Sequence, residues 1–181
     1  MYVLRLLGVA LIGMLAAPSQ AAERGSAAAI AAPRTARRAP IITEAELTTR
    51  LRSHKGRPVI LHFWATWCPS CLAELPLLAK LAEDVRGKGV AFLAVSVDAA
   101  TRQSAERVGA VLAERAGSSD WSAILKSPDA FAFIKSLARR WRGELPVFLG
   151  FDRRSRLVGV HIGDITQREL EELLGVLLRK N

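Results

Sequence analysis

The sequence predicts an α/β fold with a central mixed sheet and helices on both faces. Three observations predict it. Two short, almost continuous apolar runs, Pro58–Trp64 and Val90–Val97, flank a helical stretch, as in a βαβ unit whose parallel strands are buried on both sides. Farther along, Pro146–Phe151 and Arg156–His161 are strand-like runs joined by a tight turn at Asp152–Ser155, so they form an antiparallel hairpin. The chain then closes on an amphipathic helix, with Leu170, Leu173, Leu174 and Leu177 on one face. A βαβ unit crosses over right-handed. With the hairpin added antiparallel to the same sheet, helices are left to cover both faces.

Each element has its own local reason. Thr43 caps a helix from Glu44 to about Ser53, and Glu46 completes a capping box; Gly56 and Pro58 follow its end. The first strand leads through a turn into a helix from Pro69 to about Val85, stopped by Gly87 and Gly89. The second strand is followed by a helix from Thr101 to Ala116, ended by Gly117. Trp121–Leu125 reads as a short edge strand. Asp129–Trp141 reads as a helix, with Ser127 as its cap, Pro128 at its first position and Gly143 beyond its end. Thr166 caps the last helix, and Glu169 closes a second capping box. There is no internal repeat.

A length of 181 residues suits one domain with additions. Residues 1–21 read as a signal peptide. Arg5 supplies the positive start, Leu6–Ala17 an apolar run too short to span a bilayer, and Ser19-Gln20-Ala21 a small-residue cleavage site after Pro18. The alternative is an uncleaved N-terminal anchor. Residues 22–40 are rich in Ala, Arg and Pro without amphipathic period and read as a disordered linker; 41–181 is the folded domain. The net charge of +9 raises the question of nucleic acid. The basic residues are scattered in small clusters, among them Arg139-Arg140 and Arg153-Arg154, without interleaved aromatics. They read as a solvated basic surface. No nucleic-acid partner is expected, and a weak attraction to anionic membrane surfaces is.

The chain has two cysteines, Cys68 and Cys71. A structural disulfide stabilises most when it closes a long loop, and this pair closes a very short one. Redox chemistry is the better use. The Cys-Pro-Ser-Cys segment directly follows the first strand and opens a helix. Positions three apart on a first turn face the same way, within the Cα separation a disulfide tolerates. Cys68 falls at the helix N-terminus, where free N–H groups and the dipole favour a thiolate, so it is the expected nucleophile. Cys71, one turn in and more buried, is the resolver. Pro69 presets the helical φ, and Ser70 completes the dipeptide. A zinc site would need further ligands, but there is no third Cys and the three His are dispersed, so no metal and no cofactor are expected. A peroxidase would need its reactive Cys in a different local context.

The segment Phe63-Trp64-Ala65-Thr66-Trp67-Cys68-Pro69-Ser70-Cys71 resembles the active-site stretch of thioredoxin-fold proteins, and Leu72-Ala73-Glu74-Leu75-Pro76 narrows the resemblance to the TlpA/ResA-like periplasmic thiol–disulfide oxidoreductases. The resemblance covers most of the chain from Ile41 onward. It implies a thioredoxin fold, protein disulfides as substrates, a membrane or periplasmic redox partner, and periplasmic location. It leans towards reduction of specific protein disulfides, as in cytochrome c maturation or metal-site assembly. A disulfide-introducing oxidant and a Cu(I) chaperone of the same fold are the alternatives. It assigns Leu145-Pro146 to the cis-proline loop, makes Glu74 a thiol-tuning carboxylate against a plain reading as a solvated helix residue, and kinks the helix at Pro76. Two departures stand out: Val147-Phe148 after the proline, where the family has Thr or Ser, and His62, where it often has Asp or Asn.

On an alternating strand His62 and Trp64 share one face, and Phe63 and Ala65 the other. His62 is either a core histidine with a satisfied hydrogen bond or the proton acceptor for Cys71. Trp67, beside Cys68, is expected to cover part of the site and shape docking. Trp64 reads as a core residue, Trp121 and Trp141 as packing or partner-surface residues, and His54 and His161 as structural or surface ones.

Overall fold

A computed structural model describes residues 38–54, 56–117 and 120–179. The expected leader and all but the last residues of the expected linker lie outside the described residues. The elements are β1 (Ile41–Thr43), α1 (Glu44–Ser53), β2 (Val59–Trp64), α2 (Pro69–Gly87), β3 (Ala91–Ser96), α3 (Arg102–Ala116), β4 (Ser122–Lys126), α4 (Ala130–Leu137), β5 (Val147–Phe151), β6 (Leu157–Ile162) and α5 (Gln167–Arg179). They build a six-stranded sheet in the order β1-β4-β3-β2-β5-β6. Strands β1 to β4 run parallel to their neighbours, and the β5–β6 hairpin joins antiparallel along β2.

Alternation along the strands sorts the core into two layers. Ile60 and Trp64 face α2, α3 and α5, with Leu75, Leu78, Val108, Leu112 and Leu174. Leu61 and Phe63 face α1 and α4, with Leu47, Leu51 and Ile134. Ala65 lies past the end of β2, where alternation no longer holds, and packs in the first layer instead. Gly150 and Gly159 are register partners on β5 and β6. A methyl on Gly150 would stand 3.0 Å from Leu177 Cδ2, and one on Gly159 2.5 Å from Leu173 Cδ1. Two side-chain-free positions thus let α5 lie close on the hairpin.

Three expectations are corrected. The strand after Trp121 is interior, not an edge: Ile41–Thr43 pairs outside it and takes the edge. That strand is too short to show a period, and Thr43 at its end doubles as the N-cap of α1. The helix expected over Asp129–Trp141 stops at Leu137 and is capped by Asp129, whose carboxylate accepts the Ala132 N–H at 2.8 Å. Ser127 Oγ accepts the Asp129 N–H and donates to Glu44. The buried Trp141 indole donates to the Glu144 carbonyl at 2.6 Å, which draws the chain out of helix before Gly143. Packing also starts earlier than Ile41. Ala39 is buried and donates to the Ala105 carbonyl, and the Pro40 carbonyl accepts from Ile124.

The hairpin turn is organised by Asp152, whose side chain is almost fully buried. Oδ1 accepts the N–H groups of Arg154 and Arg156, and Oδ2 takes the Arg156 guanidinium at 2.7 Å. Burial alone would raise its pKa. The backbone and side-chain hydrogen bonds from Arg156, the Arg154 N–H and the Arg156 charge outweigh burial and hold the carboxyl below its ordinary value. A carboxyl lowered in the fold stabilises fully above its unfolded pKa of about 3.9, and the contribution is lost as pH falls through the lower folded value. Thermal melts of Asp152→Asn should therefore show a lower Tm at pH 7 by roughly 5–10 °C. The gap to the parent should narrow as pH drops below about 4. A gap that stays constant down to acid would show that the carboxylate charge contributes nothing.

Candidate active site

Strand β2 ends at Trp64, whose carbonyl accepts the Val97 N–H at 2.9 Å, and the chain then turns into α2. Asp98 fixes that turn. Its Oδ2 accepts the Thr66 N–H at 2.9 Å and the Ser96 hydroxyl at 2.5 Å, and its Oδ1 accepts the Thr66 hydroxyl at 2.5 Å. The buried Asp98 so ties the end of β3 to the residues just before Cys68. Sequence reading passed it over. The signal was a Ser-Val-Asp stretch at the carboxyl end of a buried parallel strand, the end at which α/β folds place their sites.

Cys68 is the N-cap residue of α2, and Pro69 stands at the first helical position. Its Sγ accepts the Cys71 N–H at 3.3 Å and lies 3.6 Å from the Ser70 hydroxyl. Cys68 and Cys71 are joined in a disulfide with a Cα–Cα distance of 5.3 Å. Cys71 is wholly buried, while Cys68 retains 5% exposure. An attacking sulfur can reach Cys68 more readily than Cys71. Trp67, the residue before Cys68, is 60% exposed and presents its indole to solvent beside the pair.

Three residues beyond Cys71 on α2, Glu74 makes a buried contact with a histidine. His62 on β2 is completely buried, and its Nε2 is 2.8 Å from Glu74 Oε1 on α2. The distance is that of an ion pair, but the directions are not those of a hydrogen bond. Both ring nitrogens and both carboxylate oxygens lack a hydrogen-bond partner among the described residues. Glu74 is therefore not a solvated helix residue, and His62 is a core histidine set against that carboxylate. Glu74 follows Cys71 by three residues on the same helix, so the two share a face, and the imidazole sits beneath that turn. Phe148, the register partner of His62, stacks on the ring with centroids 4.3 Å apart. Pro76 lies inside α2 just beyond Glu74.

The Leu145–Pro146 peptide is cis. Val147 pairs with Phe63, so this bond lies at the same end of the sheet as the β2–α2 turn. Trp64, Trp121 and Trp141 are buried. His54 caps the end of α1, and His161 contacts the Asp164 carbonyl at 2.9 Å. Among the described residues no group of three His, Cys, Asp or Glu side chains is placed to hold a metal ion, and no helix is long and apolar enough to cross a membrane.

Comparison with known proteins agrees with this geometry. Residues 31–111 match the AhpC/TSA family. The thiol-disulfide oxidoreductase ResA of Oceanobacillus iheyensis is 45% identical over 51 residues, covering 28% of this chain and 27% of that protein. ResA of Halalkalibacterium halodurans is 28% identical over 127 residues, covering 70% of this chain and 66% of that protein. The chain thus matches less than two thirds of the length of either relative. A thiol:disulfide interchange protein of the thioredoxin family from Chlorobium tepidum has the same fold. It superposes with a TM-score of 0.57 at 19% identity, covering 70% of this chain and 83% of that one.

Proposed function

We infer that this thioredoxin-fold chain, similar to the ResA thiol–disulfide oxidoreductases, is itself a thiol–disulfide oxidoreductase that reduces specific protein disulfides outside the cytoplasm. The observation that carries the reading is the Cys68–Cys71 disulfide at the first turn of α2, with Cys68 at the cap and Cys71 sealed behind it. A leader at residues 1–21 would deliver the domain across the inner membrane. Substrates are protein disulfides of the kind met in cytochrome c maturation or metal-site assembly.

The exchange balances in two steps. In the reduced protein the Cys68 thiolate attacks one sulfur of a substrate disulfide, forming a mixed disulfide and releasing a substrate thiolate. Cys71, as thiolate, then attacks Cys68 Sγ. The Cys68–Cys71 bond forms, the mixed disulfide breaks, and the second substrate sulfur leaves and takes a proton. Two electrons pass to the substrate, and a partner dithiol must return them. His62, with Glu74, takes the Cys71 proton. Pro146 and Trp67 receive the extended substrate chain.

Equilibration of the Cys68–Cys71 couple against glutathione tests the direction. The expected potential lies near the reducing end of the thioredoxin-fold range, about −270 mV, and not near the oxidising end of about −120 mV. A value at the oxidising end would make the protein an oxidant.

A further inference from the structure

Strand β6 is an edge of the sheet, and its side facing the α1/α4 layer is only partly covered. Leu157, Val160 and Ile162 are 36%, 44% and 39% exposed. Together with Leu137 and Trp141 they line one groove. Arg139 and Arg140 also line it; both are exposed, and neither pairs with a carboxylate among the described residues. One end of the groove reaches the cis-proline loop: Ile162 is the register partner of Val147, and Gly163 donates to the Pro146 carbonyl at 2.8 Å.

The backbone of β6 is open as well. Gly163 turns its N–H to β5, and bonding alternates along an antiparallel pair. Val160 and Ile162 therefore turn their N–H groups outward, while their side chains form the apolar row. Edge strands are commonly protected by Pro, by charge on the strand or by a bulge. Here Leu157–Ile162 holds no Pro, Lys, Arg, Asp or Glu, and the bulge opposite Gly150/Phe151 affects only the start of the strand.

We propose that this edge is a docking site for an extended, acidic and β-branched segment of a protein partner, which adds to β6 as a further strand. On the groove face of the added strand, apolar side chains at alternate positions would lie against Leu157, Val160 and Ile162, carboxylates at the next alternate positions would meet Arg139 and Arg140, and its backbone would pair with Val160 and Ile162. Charge argues against a second copy as the occupant. Pairing β6 with β6 would bring together two chains of net charge +9, each carrying the same arginine pair. The purpose of docking, to hold a partner beside the Cys68 loop, rests on the redox reading. The experiment reads binding alone, so either can fail without the other.

The probe is a fluorescein-labelled, cysteine-free nonapeptide with Val at positions 2 and 4, Glu at positions 6 and 8 and Thr elsewhere, so that Val and Glu share one strand face, added to the full oxidised chain; it is called the Glu–Val peptide, and its Lys–Val counterpart has Lys for Glu. A Lys–Val counterpart and a version with a central Pro are the controls. Fluorescence anisotropy should show saturable binding of the Glu–Val peptide, weakened about tenfold or more in both controls and in Arg139→Glu/Arg140→Glu. Hydrogen exchange should slow at the Val160 and Ile162 amides on binding. Both arginines are exposed, so the double variant should keep the parent melting curve; if it does not fold, the Lys–Val comparison still decides. Equal binding of the Lys–Val peptide, protection elsewhere than β6, or no saturation up to about 1 mM would overturn the proposal. So would a dimer in sedimentation that Val160→Glu dissociates, since a second copy would then be the occupant.

Discussion

Replacing Cys71 by Ala arrests exchange at its half-way point, with substrate held on Cys68 as a mixed disulfide. The expectation follows from the different positions of the two sulfurs. Cys68 is the N-cap of α2, its Sγ already accepting the Cys71 N–H, so a negative sulfur there meets backbone donors and the positive end of the helix. Cys71 is wholly buried and can reach only what is already bonded to Cys68. Without it the first attack proceeds and the second does not. Reduced Cys71→Ala protein, mixed with a disulfide-bonded substrate, should give a covalent adduct of defined mass that dithiothreitol releases. Turnover should fall by about two orders of magnitude or more. Cys68→Ala should lose turnover equally but form no adduct. Rapid alkylation of the Cys68→Ala protein at neutral pH, with slow alkylation of Cys71→Ala, would reverse the two roles.

The sheet and the sulfur pair were legible because their signals are local. The apolar runs of β2 and β3 are continuous, as burial on both faces requires. Capping boxes at Thr43 and Thr166 mark two helix starts. Cys68 and Cys71 need only one helical turn to meet. What stayed hidden depends on partners distant in sequence. The edge position of Ile41–Thr43 is set by pairing with β4, which no window of sequence contains. Asp98 becomes a positioning residue only because Thr66 comes to it across 32 residues. Trp141 ends its helical stretch for a tertiary reason, burial of the indole with its N–H satisfied by Glu144. For Glu74 the helix was readable but its surroundings were not: the same spacing that suits a solvated face puts it under Cys71 once α2 packs on β2.

Replacing His62 by Leu should separate the two halves of the reaction. His62 lies between β2 and α2, stacked on Phe148 and 2.8 Å from Glu74, which shares a helix face with Cys71. Neither member of the pair is hydrogen-bonded elsewhere among the described residues. Resolution needs Cys71 as a thiolate, and Cys71 is wholly buried, away from bulk water. Removal of the acceptor should slow resolution of a preformed Cys68 mixed disulfide about 10- to 100-fold, within the usual range for general-base help. Alkylation of Cys68 should be almost unchanged. Stability confuses the single variant, because Glu74 is then buried without its partner, at a cost of about 2–4 kcal/mol. The double variant His62→Leu/Glu74→Leu removes the stranded carboxylate, and replacement of a buried polar pair by apolar side chains is often near neutral. It should melt close to the parent and still resolve slowly. A double variant that regains both stability and the parent resolution rate between pH 6 and 8 would leave His62 and Glu74 as packing residues. Stable folding with slow resolution would place the proton of Cys71 on this pair.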